Sequence, residues 1–263
     1  MVMLKVIMSV SNKKTKEYLT HRRNNMKTFR LIGAGLLAVL LSFTFTACSG
    51  DDDDDDGNND SNTQYAVDLG LPSGTLWADR NIGADSPEDC GEYFAWGETE
   101  PKSVYDWSTY KWSYGSEHGN ITKYCTDCND DYDYGYNGFT DGKTTLEPAD
   151  DAATANWGKK WCMPTYDQLN ELNTKCTWTW TTLNRVKGYK VTGPNGSSIF
   201  LPAVGFRYDS EFSPVGSYGY CWSSSLDDGY PVDAWCLNFS SGDHYLSYYS
   251  ERSEGLSVRA VVR

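Results

Sequence analysis

Positive charge is what this chain has least of. Its 263 residues include 23 Lys and Arg against 36 Asp and Glu, a formal net charge of −13, and the shortfall is uneven. Eight basic residues fall in 1–47 beside a single acid, Glu17, so the part that begins at Cys48 holds 15 basic against 35 acidic residues, a net −20. A protein that holds nucleic acid needs a basic face to displace counterions from phosphates, and none follows position 48. Nucleic acid is therefore not an expected partner. Histidine is scarcer still, with 3 in the chain. Only His118 and His244 follow residue 47, and neither belongs to a recognisable Ser or Cys nucleophile motif, so nothing supports a catalytic triad.

The one long apolar run lies near the start. From Met26 the chain reads MKTFRLIGAGLLAVLLSFTFTACSG: Lys27 and Arg30, apolar residues from Leu31 to Phe45, then small residues before a cysteine. This is the layout of a secretory signal peptide, and residues 1–25 read as an upstream extension. Phe45-Thr46-Ala47-Cys48 resembles a lipobox, with Phe45 where Leu is usual, which implies lipid on Cys48 and an outer-membrane lipoprotein. The alternatives are an ordinary cleavage site or a retained anchor, for which the run is a little short. Asp51–Asp56 follow, then Gly57-Asn58-Asn59-Asp60-Ser61-Asn62. Six adjacent like charges repel and have nothing apolar to bury, so 48–63 reads as a solvated acidic tether, and a flexible run cannot preorganise the oxygens that calcium needs.

Residues 64–263 show no second low-complexity break and read as one domain. Ala66–Leu69 and Thr75–Ala78 flank a Gly-Leu-Pro-Ser-Gly loop, and Tyr189–Thr192 and Ser198–Leu201 flank Gly193-Pro194-Asn195-Gly196, predicting two hairpins. Alternation of Leu256, Val258 and Ala260 with Ser257, Arg259 and Val261 predicts a terminal strand. A helix is expected after Thr165, with Gln168 closing a capping box and Leu169, Leu172 and Cys176 on its buried face. A shorter one is expected over Asp150–Asn156, stopping near Gly158. Short strands, one or two helices and long loops make an α+β domain.

Val67-Asp68-Leu69-Gly70-Leu71-Pro72-Ser73-Gly74-Thr75-Leu76-Trp77-Ala78, Tyr93-Phe94-Ala95-Trp96-Gly97-Glu98-Thr99, Asp141–Pro148 with Asp150-Asp151-Ala152-Ala153, Trp161 with Met163-Pro164-Thr165, and Tyr220 with Trp222-Ser223-Ser224-Ser225 together resemble the Fibrobacter succinogenes major paralogous domain of Bacteroidetes lipoproteins. The resemblance implies a C-type-lectin-like fold of the formylglycine-generating-enzyme type, in which first and last strands pair and long loops form an exposed face. The acidic stretch just after Cys48 separately resembles the surface-export signal of Bacteroidetes lipoproteins, which implies that the protein faces outward from the outer membrane. The block 216–262, ending in Gly255-Leu256-Ser257-Val258-Arg259, resembles the variable region of proteins diversified by retroelements; an ordinary drifted paralogue is the other account of it.

The cysteines offer no clear chemistry. An enzyme of the formylglycine-generating type needs a reactive cysteine pair, for which Cys221 and Cys236 are the candidates; on paired strands they could instead form a disulfide, which export permits. Cys125-Thr126-Asp127-Cys128 lacks a second pair or histidine spacing, so a local disulfide or two loop thiols explains it better than zinc. The acidic loop Asp127, Asn129, Asp130, Asp131, Asp133 with Asp141 fails the EF-hand template, because Tyr134 and Thr140 stand where Gly and Glu are required. Neither a metal nor a cofactor is expected. Asp243–Glu251, by contrast, crowds tyrosines and small polar groups into an expected loop. Tyrosine gives stiff contact area with a hydrogen-bonding tip, the chemistry of binding surfaces. The expected ligand contacts are Tyr218, Asp227, Asp228, Tyr230, Asp233, His244, Tyr245, Tyr248, Tyr249 and Glu251, with an extracellular glycan or protein as partner and no catalytic residue. The alternatives are a formylglycine-generating-type enzyme or degenerate relative, or a structural or adhesive component.

Overall fold

A computed structural model describes residues 63–115, 120–126, 138–213, 215–227 and 229–262, all within one compact unit that spans 57–263. The signal segment, Cys48, the aspartate run, His118 and residues 127–137 of the acidic loop lie outside the described residues.

The fold is mostly β-sheet. β1 (Ala66–Asp68) and β2 (Leu76–Ala78) form the first expected hairpin, with Val67 opposite Trp77. After β3 (Tyr93–Phe94), a long irregular stretch leads to α1 (Ala152–Trp157). Asp151 caps α1 by accepting the Thr154 N–H at 2.9 Å. β4 (Trp161–Cys162) precedes α2 (Tyr166–Lys175), where both halves of the capping box form between Thr165 and Gln168. Leu169 and Leu172 are buried as expected, but Cys176 is the half-buried residue that ends the helix.

β5 (Thr177–Leu183), β6 (Val186–Thr192) and β7 (Ser198–Pro202) make a three-stranded antiparallel sheet. Its β6–β7 turn is the second expected hairpin, with Gly196 at φ 89°, a left-handed conformation that glycine adopts without a Cβ clash. β8 (Arg207–Tyr208) and β9 (Glu211–Phe212) pair with each other. β10 (Tyr218–Leu226), β11 (Asp233–Ser240) and β12 (Asp243–Glu251) form an antiparallel meander. The meander continues through β13 (Leu256–Ser257), parallel to β10, to β3.

The expected single terminal strand is two short ones, because Val258–Ala260 carries the chain from one sheet to another. β14 (Val261–Val262) joins the four-stranded sheet β1-β2-β14-β4, so the chain's end pairs with its first hairpin. Arg259 explains this crossing: fully buried, it donates to Asn81 Oδ1, Ala78 O and Phe200 O at 2.9–3.1 Å. The same logic holds at the end of β12. Arg252 is also fully buried and donates to Tyr110 Oη and to the carbonyls of Tyr124, Pro231 and Lys123, each at 2.9 Å. Its guanidinium lies 4.8 Å from the Trp96 ring centre. Fixed donor geometry and weak hydration let an arginine satisfy several carbonyls inside a core where lysine could not.

Candidate functional site

The meander β10–β12 carries all ten candidate contacts, and its register decides which of them meet. Cross-strand rows on one face are Tyr218/Ser240/Asp243, Tyr220/Asn238/Tyr245 and Trp222/Cys236/Ser247. Rows on the other are Gly219/Phe239/His244 and Cys221/Leu237/Leu246. Directly opposite residues share a face, and the face alternates with each step along a strand. The expected loop at Asp243–Glu251 is thus a nine-residue strand. Tyrosine-rich sequence favours a half-buried pleated surface as readily as a loop.

The first face stays open at the end where β10 begins. Tyr245 is 40% exposed, although it lies within a strand, and Tyr218 and Tyr220 beside it are half-buried. Tyr245 Oη accepts from Asn238 Nδ2 at 3.3 Å. Desolvation, followed by the neighbouring Cys236 and Asp243, pushes the Tyr245 phenol up from its ordinary pKa, so it stays a neutral O–H. Half-buried Phe206 meets Tyr220 edge-on, with ring centres 5.1 Å apart. Backbone bonds place it there: Gly205 N–H donates to Tyr218 O at 2.7 Å and Ser213 N–H to Phe206 O at 2.8 Å. No lysine or arginine occurs between 218 and 251.

The opposite face is closed by α2 and the β5–β7 sheet. Phe239 is 1% exposed and its ring occupies the space that a Cβ at Gly219 would need. His244 stacks on Trp178 at 4.3 Å and 12°, meets Tyr189 edge-on, and hydrogen-bonds Asn173 Oδ1 through Nδ1 at 2.7 Å. Burial pushes its pKa below the ordinary value, against a smaller upward pull from Asp243. His244, expected as a loop side chain, instead ties β12 to α2 and β5.

Asp227, Tyr230, Asp233 and Glu251 are at the far end of the meander, on the order of 20–30 Å away at the strand rise per residue. Asp227 is buried and its Oδ1 accepts the Gly229 N–H at 3.0 Å, while Asp233 N–H donates to Tyr230 O at 2.8 Å, so both build the β10–β11 turn. Glu251 Oε2 accepts from Trp107 Nε1 at 3.0 Å. Asp228 and the side chains of Tyr248 and Tyr249 lie outside the described residues. The backbone sets Tyr248 and Tyr249 against the single residue Trp235 in a bulge. The described candidates, read as one surface, are therefore spread over two ends and two faces.

Tyr220, Asn238 and Phe206 complete the open face, and the sequence reading missed them as contacts. Alternation through Tyr218-Gly219-Tyr220 was a usable signal for the first. Asn238 pairs across from both tyrosines only once the register is known.

Cys221 and Cys236 lie on neighbouring strands but on opposite faces, opposite Leu237 and Trp222 respectively, and both are free thiols. The disulfide allowed above is therefore absent. Burial pushes their pKa values up to about 11 and about 12, which disfavours the thiolate that is the reactive form. Cys125 is a buried free thiol, and Cys128 lies outside the described residues. Asp141 is engaged by backbone: its carboxylate accepts the N–H groups of Tyr124, Cys125 and Lys143 at 2.9–3.1 Å. Buried Asp150 accepts from Lys123 Nζ at 2.6 Å and Tyr124 Oη at 2.7 Å, closing the long irregular stretch over α1. Among the described residues no group of three or more His, Cys, Asp or Glu side chains could hold a metal ion.

In comparisons with known proteins, no family model, no curated protein and no solved structure matches this chain.

Proposed function

We propose that this chain is a surface-displayed outer-membrane lipoprotein, anchored through lipid on Cys48. Its C-type-lectin-like domain, residues 64–263, binds an extracellular ligand, glycan or protein, on the open face of β10–β12. One observation carries the reading: Tyr218, Tyr220 and Tyr245 line one partly exposed face of an antiparallel meander. Stiff aromatic contact area on a fixed scaffold costs little ordering entropy when a ligand binds.

Pairing of the last strand with the first hairpin agrees with the lectin-like fold that the resemblance implies. The enzyme alternative is less well supported, since Cys221 and Cys236 are buried, on opposite faces and disfavoured as thiolates. The absence of basic residues from the meander disfavours phosphate-rich partners.

Binding of the purified protein to a glycan array and to a panel of extracellular proteins tests this reading. Tyr218→Ala with Tyr245→Ala should abolish whatever binding is found. Binding that survives both substitutions would move the site elsewhere. Anchoring is tested separately: globomycin should cause an uncleaved precursor to accumulate, and unchanged processing would remove the lipid from Cys48.

A further inference from the structure

The open face has a polar floor. Asn238 is 4% exposed, and it sits between Tyr220 and Tyr245 in the same cross-strand row. Its Nδ2 donates one N–H to Tyr245 Oη at 3.3 Å, while its Oδ1 has no partner among the described residues. It is not sealed off, unlike Trp77 Nε1 or the hydroxyls of Ser253 and Ser257, which are buried without partners. An amide held through one N–H and nine-tenths buried therefore keeps an acceptor, Oδ1, that no described side chain or backbone group uses, in the row between Tyr220 and Tyr245. Buried acceptors are normally paired, and one held open in an aromatic setting awaits a donor from outside.

The surroundings narrow what that donor belongs to. Tyr218, Tyr220, Tyr245 and Phe206 offer ring faces and edges. The only formal charge in the two open rows is the exposed carboxylate of Asp243, and no cation lies between 218 and 251. An anionic ligand would meet repulsion with no lysine or arginine in the meander to offset it. A neutral ligand with a flat apolar face and a hydroxyl at its edge matches every feature present.

We infer that the Tyr218–Tyr220–Tyr245 face takes one uncharged pyranose ring of a glycan, its C–H face against tyrosine and one hydroxyl donating to Asn238 Oδ1. This rests on the ligand-binding reading of the same face and names its ligand class. Recognition needs no metal, because the acceptor is a neutral amide already oriented by Tyr245.

Saturation-transfer NMR and titration of the purified protein with methyl β-galactopyranoside, methyl α-glucopyranoside and methyl N-acetylglucosaminide, with glucuronate as the anionic control, test it. At least one neutral glycoside should bind, with transfer strongest to its ring C–H protons, and glucuronate at least tenfold more weakly. Asn238→Ala should weaken the neutral sugar about tenfold, as expected for loss of one hydrogen bond to a buried acceptor. Asn238→Asp keeps an acceptor for the hydroxyl and for Tyr245 O–H, and should stay within about threefold of the parent. If Asn238→Ala does not fold, Tyr220→Leu against Asn238→Asp makes the same comparison, with the loss confined to Tyr220→Leu. Neutral-sugar binding indifferent to Asn238→Ala and Tyr220→Leu overturns the inference. So does a protein ligand captured through Tyr218 and Tyr245 with no sugar bound, although the broader reading then stands. Failure of both classes to bind removes the two together.

Discussion

The two faces of the β10–β12 meander are built from the same strands and both carry aromatic rings, yet they do opposite things. One presents Phe239, Leu237 and His244 to α2 and the β5–β7 sheet, where Trp178 and Tyr189 receive them. The other presents Tyr218, Tyr220 and Tyr245 to solvent at one end and Trp222 and Cys236 to the core at the other. Aromatic content does not separate a packing surface from a binding surface. Alternation does, together with what the rest of the chain lays over each row.

The largest expected effect is on the closed face. Phe239→Ala removes a ring that fills the space over Gly219 and should cost about 3–5 kcal/mol of stability, read as a lowered urea midpoint. Tyr245→Ala, on the adjacent strand but the open face, should cost under about 1 kcal/mol while abolishing ligand binding. Equal losses from the two would erase the distinction between the faces.

A somewhat smaller loss contrasts the meander's two ends. Arg252 clamps the far end to the carbonyls of Lys123, Tyr124 and Pro231. Arg252→Met keeps much of the bulk but leaves those carbonyls unpaired, at about 2–4 kcal/mol by the cost of orphaned buried acceptors. Ligand binding at the near end should persist in the folded fraction. Loss of binding in fully folded Arg252→Met would mean that the two ends are coupled.

Much of this was legible in advance where the signal is local. The Thr165–Gln168 capping box and both glycine-bearing hairpins are written in adjacent residues, and the structure has them; the short helix expected over Asp150–Asn156 is present as Ala152–Trp157, because Asp150 belongs to the preceding turn and Asp151 is the cap. What could not be read depends on partners distant in sequence. Asp243–Glu251 has the composition of a loop and becomes a strand because β11 supplies its hydrogen bonds and Trp178 receives His244. Asp227 and Glu251 are expected ligand contacts because they lie in the block that crowds tyrosines with adaptable polar groups; one closes a turn and the other accepts from Trp107, 144 positions earlier in the chain. β5 escaped notice because its Thr-Trp alternation lacks a flanking glycine on the helix side, and Asn238 because one residue between Leu237 and Phe239 carries no signal until its neighbours across the sheet are known.

Acid should act on the closed face first. His244 has a folded-state pKa below its unfolded value, because burial beside Trp178 penalises the imidazolium. The unfolded chain then binds more protons in that interval, so this contribution is complete above the ordinary histidine pKa near 6.5 and is lost as pH falls through the folded value. Stability measured from pH 7 to pH 5 should decline less in His244→Gln than in the parent. An unchanged slope would assign the acid sensitivity to other groups.

The smallest effect is the most discriminating for the open face. Tyr245→Phe keeps the ring and deletes only the hydroxyl that accepts from Asn238 Nδ2. The hydrogen bond is long and partly solvated, so stability should change by no more than about 0.5–1 kcal/mol. The amide, however, loses the group that fixes its orientation, and its acceptor is no longer held toward the tyrosines. Sugar affinity should therefore fall by more than the stability change implies, with the ring contact intact. If affinity and stability fall together, the Asn238–Tyr245 pair is a packing detail like those on the closed face. If affinity alone falls, the floor of the open face works by holding one acceptor still.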